Sequence, residues 1–192
     1  MVKYYLQTYA LIMAKRITKV TTKKGDAGST GMGDGSRVSK SSSLIVAIGE
    51  LDELNSWIGL LTSLKKLEGK KDFLLSIQNR LFDIGGILTT KSKTPLNNLH
   101  LESLEEETNN LNKQLPHLEN FVLPGGNKDS SVIHITRTVC RRAERSIIKA
   151  EESNLVEKSC LIYLNRLSDF LFVLARKVNF DSGVEELLWS QE

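Results

Sequence analysis

The sequence predicts an all-α protein, a bundle of about five helices with short connections. Three observations predict it. Apolar residues recur at helical spacing over five long segments, no segment alternates with period two long enough to argue a sheet, and 192 residues contain only 13 Gly and 3 Pro. The first stripe runs Leu44, Ile48, Leu51, Leu54, Ile58 and Leu61, with a serine cluster at 41–43 offering N-caps. The second is Phe73, Ile77, Leu81, Ile84 and Leu88. A weaker third uses Leu104, Leu111 and Leu115 and stops before Pro116. After Pro124-Gly-Gly, Val132, Ile135, Val139 and Ile147 mark a fourth. Leu161, Leu164, Leu171, Leu174 and Val178 mark a fifth.

Length and composition bound the rest. A chain this long can bury a core without staples, so residues 21–192 read as one domain and residues 1–20 as an N-terminal extension, with Met13 an alternative start. The formal charge of +3 is too small to mark a nucleic-acid binder by itself. Two cysteines, Cys140 and Cys160, make neither a metal spacing nor a disulfide framework, which favours a reducing cytoplasm. No apolar run reaches the length that spans a bilayer.

Three segments carry polar residues that a plain bundle does not require. Residues 21–43 hold glycine at 25, 28, 31, 33 and 35, surrounded by Lys23, Lys24, Arg37 and Lys40 and by the hydroxyls of Thr22, Ser29 and Thr30. Backbone N–H groups approach phosphate closely where no Cβ intervenes, so this is either a triphosphate cradle or a surface linker. It is neither a Walker A motif nor G-x-G-x-x-G. The second segment, Ser131 to Arg145, places His134, Arg137, Arg141, Glu144 and Arg145 within about a third of a helix circumference, with Arg142 turned away from Arg137. Such a face suits a polyanion, an RNA backbone, or plain solvent with intrahelical Arg–Glu pairs. Third, Asp52 and Asn55, and Asn165 and Asp169, sit beside apolar stripes, where burial demands partners; an arginine of the fourth helix is available. Three scattered histidines make a metal site improbable.

In series these residues resemble a family. Thr22-Lys-x-Gly-Asp-x-Gly-x-Thr30, Gly49-Glu-Leu-Asp-Glu-Leu-Asn-Ser-Trp-Ile-Gly59, Phe121-Val-Leu-Pro-Gly-Gly126, Arg137-Thr-x-x-Arg-Arg-Ala-Glu-Arg145, Asn165-Arg-Leu-Ser-Asp169 and Asn179-x-x-x-Gly183-x-x-Glu186-x-x-Trp189 are similar, in order and spacing, to the motifs of PduO-type ATP:cob(I)alamin adenosyltransferases. The resemblance implies a five-helix bundle, a homotrimer with active sites between subunits, and transfer of the 5′-deoxyadenosyl group of ATP, with Mg²⁺, to cob(I)alamin. It implies an ATP site built from Thr22, Lys23, Lys24, Gly25, Thr30, Gly31 and Lys40 together with Arg141, Arg142, Glu144, Arg145 and Asn165. Asp52 and Arg137 would pair at the subunit junction, and Phe121 would cover the lower face of the corrin. A cobalamin reductase or an adenosylcobalamin-dependent enzyme would be a further partner, with nucleic acid and membrane excluded. Ser41, Leu44 and Gly31 depart from residues common in the family pattern. A different ATP-using helical enzyme, or a helical scaffold, remains the alternative class.

Overall fold

The computed structural model describes residues 21–92, 95–151 and 157–190. The extension predicted over 1–20 lies outside them. Five helices follow a small antiparallel hairpin: β1 (Ser29–Gly31), β2 (Arg37–Ser39), α1 (Ser43–Leu61), α2 (Lys71–Thr90), α3 (Asn98–Asn112), α4 (Lys128–Glu151) and α5 (Lys158–Asp181). The hairpin corrects the expectation of an all-loop segment. Its strands are three residues each, too short to show period two, and pair Ser29 with Ser39, Thr30 with Val38 and Gly31 with Arg37.

The helices start and stop for local reasons. The serine cluster delivers its cap: Ser42 accepts a hydrogen bond from the Ile45 amide at the head of α1. Lys91 ends α2 in the left-handed conformation, φ 52°. Asn97 caps α3, which ends at Asn112, short of Pro116. Asn127 turns its amide carbonyl to the Ser130 N–H in the first turn of α4.

α4 and α5 pack most extensively, α1 lies against α4, α2 against α1, and α3 against α5. Leu54, Ile58, Leu74, Leu81, Ile84, Leu104, Ile133 and Phe170 are among the largest fully buried side chains, and Phe73 of α2 meets Phe170 of α5 at 5.3 Å between ring centroids. Leu44 is in this core, which explains an apolar residue there. The fourth stripe needs one correction. Val139 and Ile147 are buried as predicted and Val132 is half-buried, but Ile135 is exposed, while Ile133, Thr136, Cys140 and Ala143 also face inward. α1 and α2 are held in register by reciprocal bonds: Asn55 Nδ2 donates to the Gln78 carbonyl and Gln78 Nε2 to the Asn55 carbonyl. Among the described residues no helix is long and apolar enough to cross a membrane.

Candidate active site

The hairpin is organised by its own arginine. Arg37 donates to the Lys24 carbonyl at 2.6 Å, the Ser29 carbonyl at 3.2 Å and Ser29 Oγ at 2.7 Å. Its charge, predicted to face an anion with the lysines, instead ties the loop before β1 to β1. Thr22, Lys23, Lys24, Gly31 and Lys40 stay exposed, and Gly25 and Thr30 half-buried. The Lys40 amide donates to the Gly28 carbonyl at 2.9 Å. The Lys40 ammonium lies against Gly25, 3.1 Å from where a Cβ would stand. Loop and lysine are thus in contact, with backbone and ammonium groups presented together to solvent.

The hairpin's tip is moored to the end of α2. Met32 is buried, the Gly33 amide donates to the Thr89 carbonyl at 3.0 Å, and Asp34 pairs with Lys91 at 2.9 Å. Hydrogen bonds from the Ser36 hydroxyl, then from Lys91 and the Ser36 amide, hold the Asp34 carboxyl well below the usual carboxylate range.

The second polar region is built on α4 and α5. Arg141 and Arg145 are exposed, and Glu144 and Asn165 half-buried. Asn165 Nδ2 donates to Glu144 at 3.3 Å, Arg166 donates to Asn165 Oδ1 at 2.9 Å, and Arg166 also reaches Glu105 of α3 at 2.8 Å. The Asn165 amide is therefore oriented from both ends. Arg142 leaves this group. It forms ion pairs with Glu50 and Glu53 of α1, as its turn away from Arg137 anticipates, and these pairs, rather than Asp52, join α1 to an arginine of α4 within one chain. Asp52 is exposed beside a groove of about 520 Å³ between α1 and α2, lined by Ile45, Ile48, Phe82 and Gly86. Among the described residues no ion pair involves Asp52.

A third feature adjoins the band. Phe121, Val122, Leu118, Glu119, Arg137 and Phe172 line a pocket of about 590 Å³. Phe121 is 78% exposed and meets Trp189 edge to face at 6.3 Å. The Arg137 guanidinium stands 5.9 Å from the Phe172 ring centroid, and its Nε is buried without a partner. His134, one turn earlier, is buried with neither ring nitrogen bonded. Burial, and secondarily Arg137, push its pKa down to about 4, so it is neutral at pH 7.

Among the described residues no hydrogen bond or ion pair links residues 21–40 to α4 or α5, and no cluster of three His, Cys, Asp or Glu side chains could hold a metal ion. Among the described residues the two polar regions of one chain are thus not bonded to each other. Sequence reasoning missed Arg37, Arg166 and Phe172 as organisers. Their signal, a cation or ring beside a motif residue, is not distinctive without the fold.

The family profile described as Cobalamin adenosyltransferase matches residues 20–178. The chain belongs to the cobalamin adenosyltransferase family. It is 47% identical over 181 residues to the Cobalamin adenosyltransferase of Cupriavidus metallidurans, covering 94% of this chain and 98% of that one. With the Corrinoid adenosyltransferase of Bacillus subtilis it shares 41% identity, covering 88% and 91%. A solved variant of the PduO-type ATP:corrinoid adenosyltransferase of Lactobacillus reuteri, complexed with cobalamin and ATP, superposes with a TM-score of 0.84 at 34% identity, covering 89% and 96%. Another variant, complexed with ATP, gives 0.83 at 35%, covering 89% and 100%. In this cobalamin adenosyltransferase the matched residues include the hairpin and the α4–α5 band. The segment carrying Trp189 follows them.

Proposed function

We propose that this adenosyltransferase transfers the 5′-deoxyadenosyl group of ATP to cob(I)alamin, forming adenosylcobalamin and releasing triphosphate. The observation that carries the reading is that α4 and α5 hold a polyanion surface and an aromatic pocket side by side. Arg141, Glu144 and Asn165 form the first, and Arg137, Phe172 and Phe121 line the second.

The residue types fit the reaction. Co(I) is a strong nucleophile and requires no protein base. As the Co–C5′ bond forms, the C5′–O bond breaks and its electron pair leaves with triphosphate. The protein's tasks are to hold C5′ in line with cobalt and to stabilise the leaving charge. Arg141 supplies a fixed cation and a planar donor fork. The Gly25 segment and Lys40 supply backbone and ammonium donors. Asn165, oriented by Glu144 and Arg166, fixes ATP's position. Thr22, Lys23, Lys24, Thr30, Gly31 and Arg145 complete the site, and Arg142 supports it from behind by tying α4 to Glu50 and Glu53 of α1. Mg²⁺ accompanying ATP would add charge neutralisation to the leaving triphosphate. Phe121 presents an apolar ring to the lower corrin face, excluding water and a lower ligand, which eases formation of Co(I).

Among the described residues of one chain nothing bonds the hairpin to Arg141, which fits an assembly in which a neighbouring protomer supplies the other half of each site. We assign this to a homotrimer, with Asp52 of one protomer meeting the Arg137 of another. Cys140 and Cys160 are free and buried, which fits a cytoplasmic enzyme. The test mixes the protein with ATP, Mg²⁺ and chemically reduced cobalamin. A light-sensitive alkylcobalamin spectrum is expected, and its absence would overturn the proposal.

A further inference from the structure

Phe121 is held from behind, through its backbone. With its ring 78% exposed, core packing does not fix it. Instead residues 120–123 run beside the segment 187–189. The Leu123 amide donates to the Leu187 carbonyl at 2.8 Å, the Trp189 amide to the Phe121 carbonyl at 2.7 Å, and Asn120 Nδ2 to the Trp189 carbonyl at 2.7 Å. Asn120 Oδ1 also accepts from the Phe121 amide at 2.8 Å. This two-stranded clasp has only one bridge pair, Val122 with Leu188, and an isolated pair of strands is marginal in water.

Its anchor is Arg176 of α5, 2% exposed. Arg176 Nε faces both Glu186 carboxylate oxygens, at 3.1 and 3.0 Å, and its Nη2 donates to the Pro116 carbonyl at 3.1 Å. One guanidinium therefore holds the tail just before Leu187 and the α3–α4 connection five residues before Phe121. A turn further on, Asn179 grips the other side of the same connection. Its Nδ2 donates to the Gly125 carbonyl at 3.0 Å and its Oδ1 accepts from the Asn127 amide at 3.1 Å. Gly126, at φ 99°, leaves room where a Cβ would stand 2.3 Å from the Asn179 amide.

A buried arginine is expensive to keep unless its donors are used, and here they are directed at the two chain segments that carry Phe121 and Trp189. We infer that Arg176 and Glu186 are positioning residues for the corrinoid half of the reaction, setting the Phe121–Trp189 aromatic pair at the mouth of the pocket with Arg137 and Phe172. The inference rests on the adenosyltransferase reading and adds to it a part played by the tail beyond the bundle.

The test uses Glu186→Ala in the full chain, together with Arg176→Lys, which keeps the charge but offers one nitrogen where Glu186 and Pro116 are met by two. The chain has two tryptophans, so Trp57→Phe leaves Trp189 as the single tryptophan, excited selectively at the red edge of its absorption. Release of the clasp is expected to shift Trp189 emission to the red. With Co(I) supplied, the KM for corrinoid is expected to rise about tenfold in Glu186→Ala and less in Arg176→Lys, while the KM for ATP stays within about twofold. The loss is expected to be larger when the reaction starts from Co(II). Equal rises in both KM values, or unshifted emission with an unchanged corrinoid KM, would overturn the inference. If Glu186→Ala does not fold, Arg176→Lys decides by the same readings. If the wild-type protein does not adenosylate corrinoid, the functional reading fails, and the emission shift alone decides whether the clasp exists.

Discussion

The hairpin and the α4–α5 band make opposite use of the same residue types. In the hairpin, Arg37 is turned on the loop's own carbonyls, and two contacts moor its tip to the end of α2, Gly33 with Thr89 and Asp34 with Lys91, while Met32 is buried. In the band, each polar residue rides on a helix that also supplies the core, with Ile133, Ala143 and Leu164 fully buried between the functional positions. The hairpin can thus change with little effect on the fold, whereas the band is coupled to stability at every turn. Nucleotide would be received on a light, locally braced element and positioned against a rigid one.

The sharpest challenge to that division is Arg141→Ala. Arg141 is exposed on α4, so its removal leaves the fold intact. It is expected to cost about 2–4 kcal/mol of transition-state stabilisation, the range for losing a strong donor to developing charge. Turnover with saturating ATP and supplied Co(I) measures it. Wild-type rates would remove Arg141 from the site.

Acid separates the two regions next. His134 titrates at about 4 in the folded protein against about 6.5 unfolded. Between these values the unfolded chain binds the proton more readily, so stability falls as pH drops. The contribution is complete above pH ~6.5 and is lost progressively toward pH ~4, roughly 3 kcal/mol in all. Asp34, held below the usual carboxylate range, stays charged throughout that window, so the hairpin's mooring does not titrate with it. Urea unfolding of wild type and His134→Asn across pH 7 to 4.5 checks this. The difference between their stabilities should shrink with acid, and parallel curves would show that the buried imidazole is not the group responsible.

How much of this was legible in the sequence divides along the same line. The helices were legible because their cores repeat at helical spacing, and Ser42 because capping chemistry is local. Ile135 misled because the inward face of α4 runs through Ile133, Thr136, Cys140 and Ala143 beside Val139 and Ile147, and the small and polar members of that face do not stand out in an apolar pattern. The hairpin was invisible to periodicity, as three-residue strands have none. In the band, Arg141, Glu144 and Asn165 stood out through motif spacing. Asn165 is oriented by Glu144 and Arg166, and Arg166 is itself held by Glu105, sixty-one residues earlier on another helix; only the fold places that glutamate there.

Phe121→Ala tests the pocket beside the α4–α5 band. Its ring is largely exposed, so no loss of stability is expected. Starting from Co(II) with a reductant, the variant should be slowed about tenfold more than when Co(I) is supplied, because the ring matters most while the lower corrin face is being cleared. Equal losses from the two starting states would reduce Phe121 to a binding contact.

The smallest effect is the most discriminating for the hairpin. Gly25 is not in the left-handed region, so Gly25→Ala adds no backbone strain. The new methyl would stand 3.1 Å from Lys40 Nζ and 3.2 Å from its Cε, and the end of a flexible side chain gives way. What is disturbed is the place of one ammonium relative to one stretch of backbone. A displaced rather than deleted charged donor is worth about 1 kcal/mol, so the KM for ATP should rise about fivefold while Tm and the corrinoid KM hold steady. A fall in Tm would show that the loop is part of the load on the bundle and would dissolve the contrast between the regions. An unchanged KM for ATP would show that the contact between Gly25 and Lys40 merely shapes the loop, and would move the phosphate site toward Lys23 and Lys24.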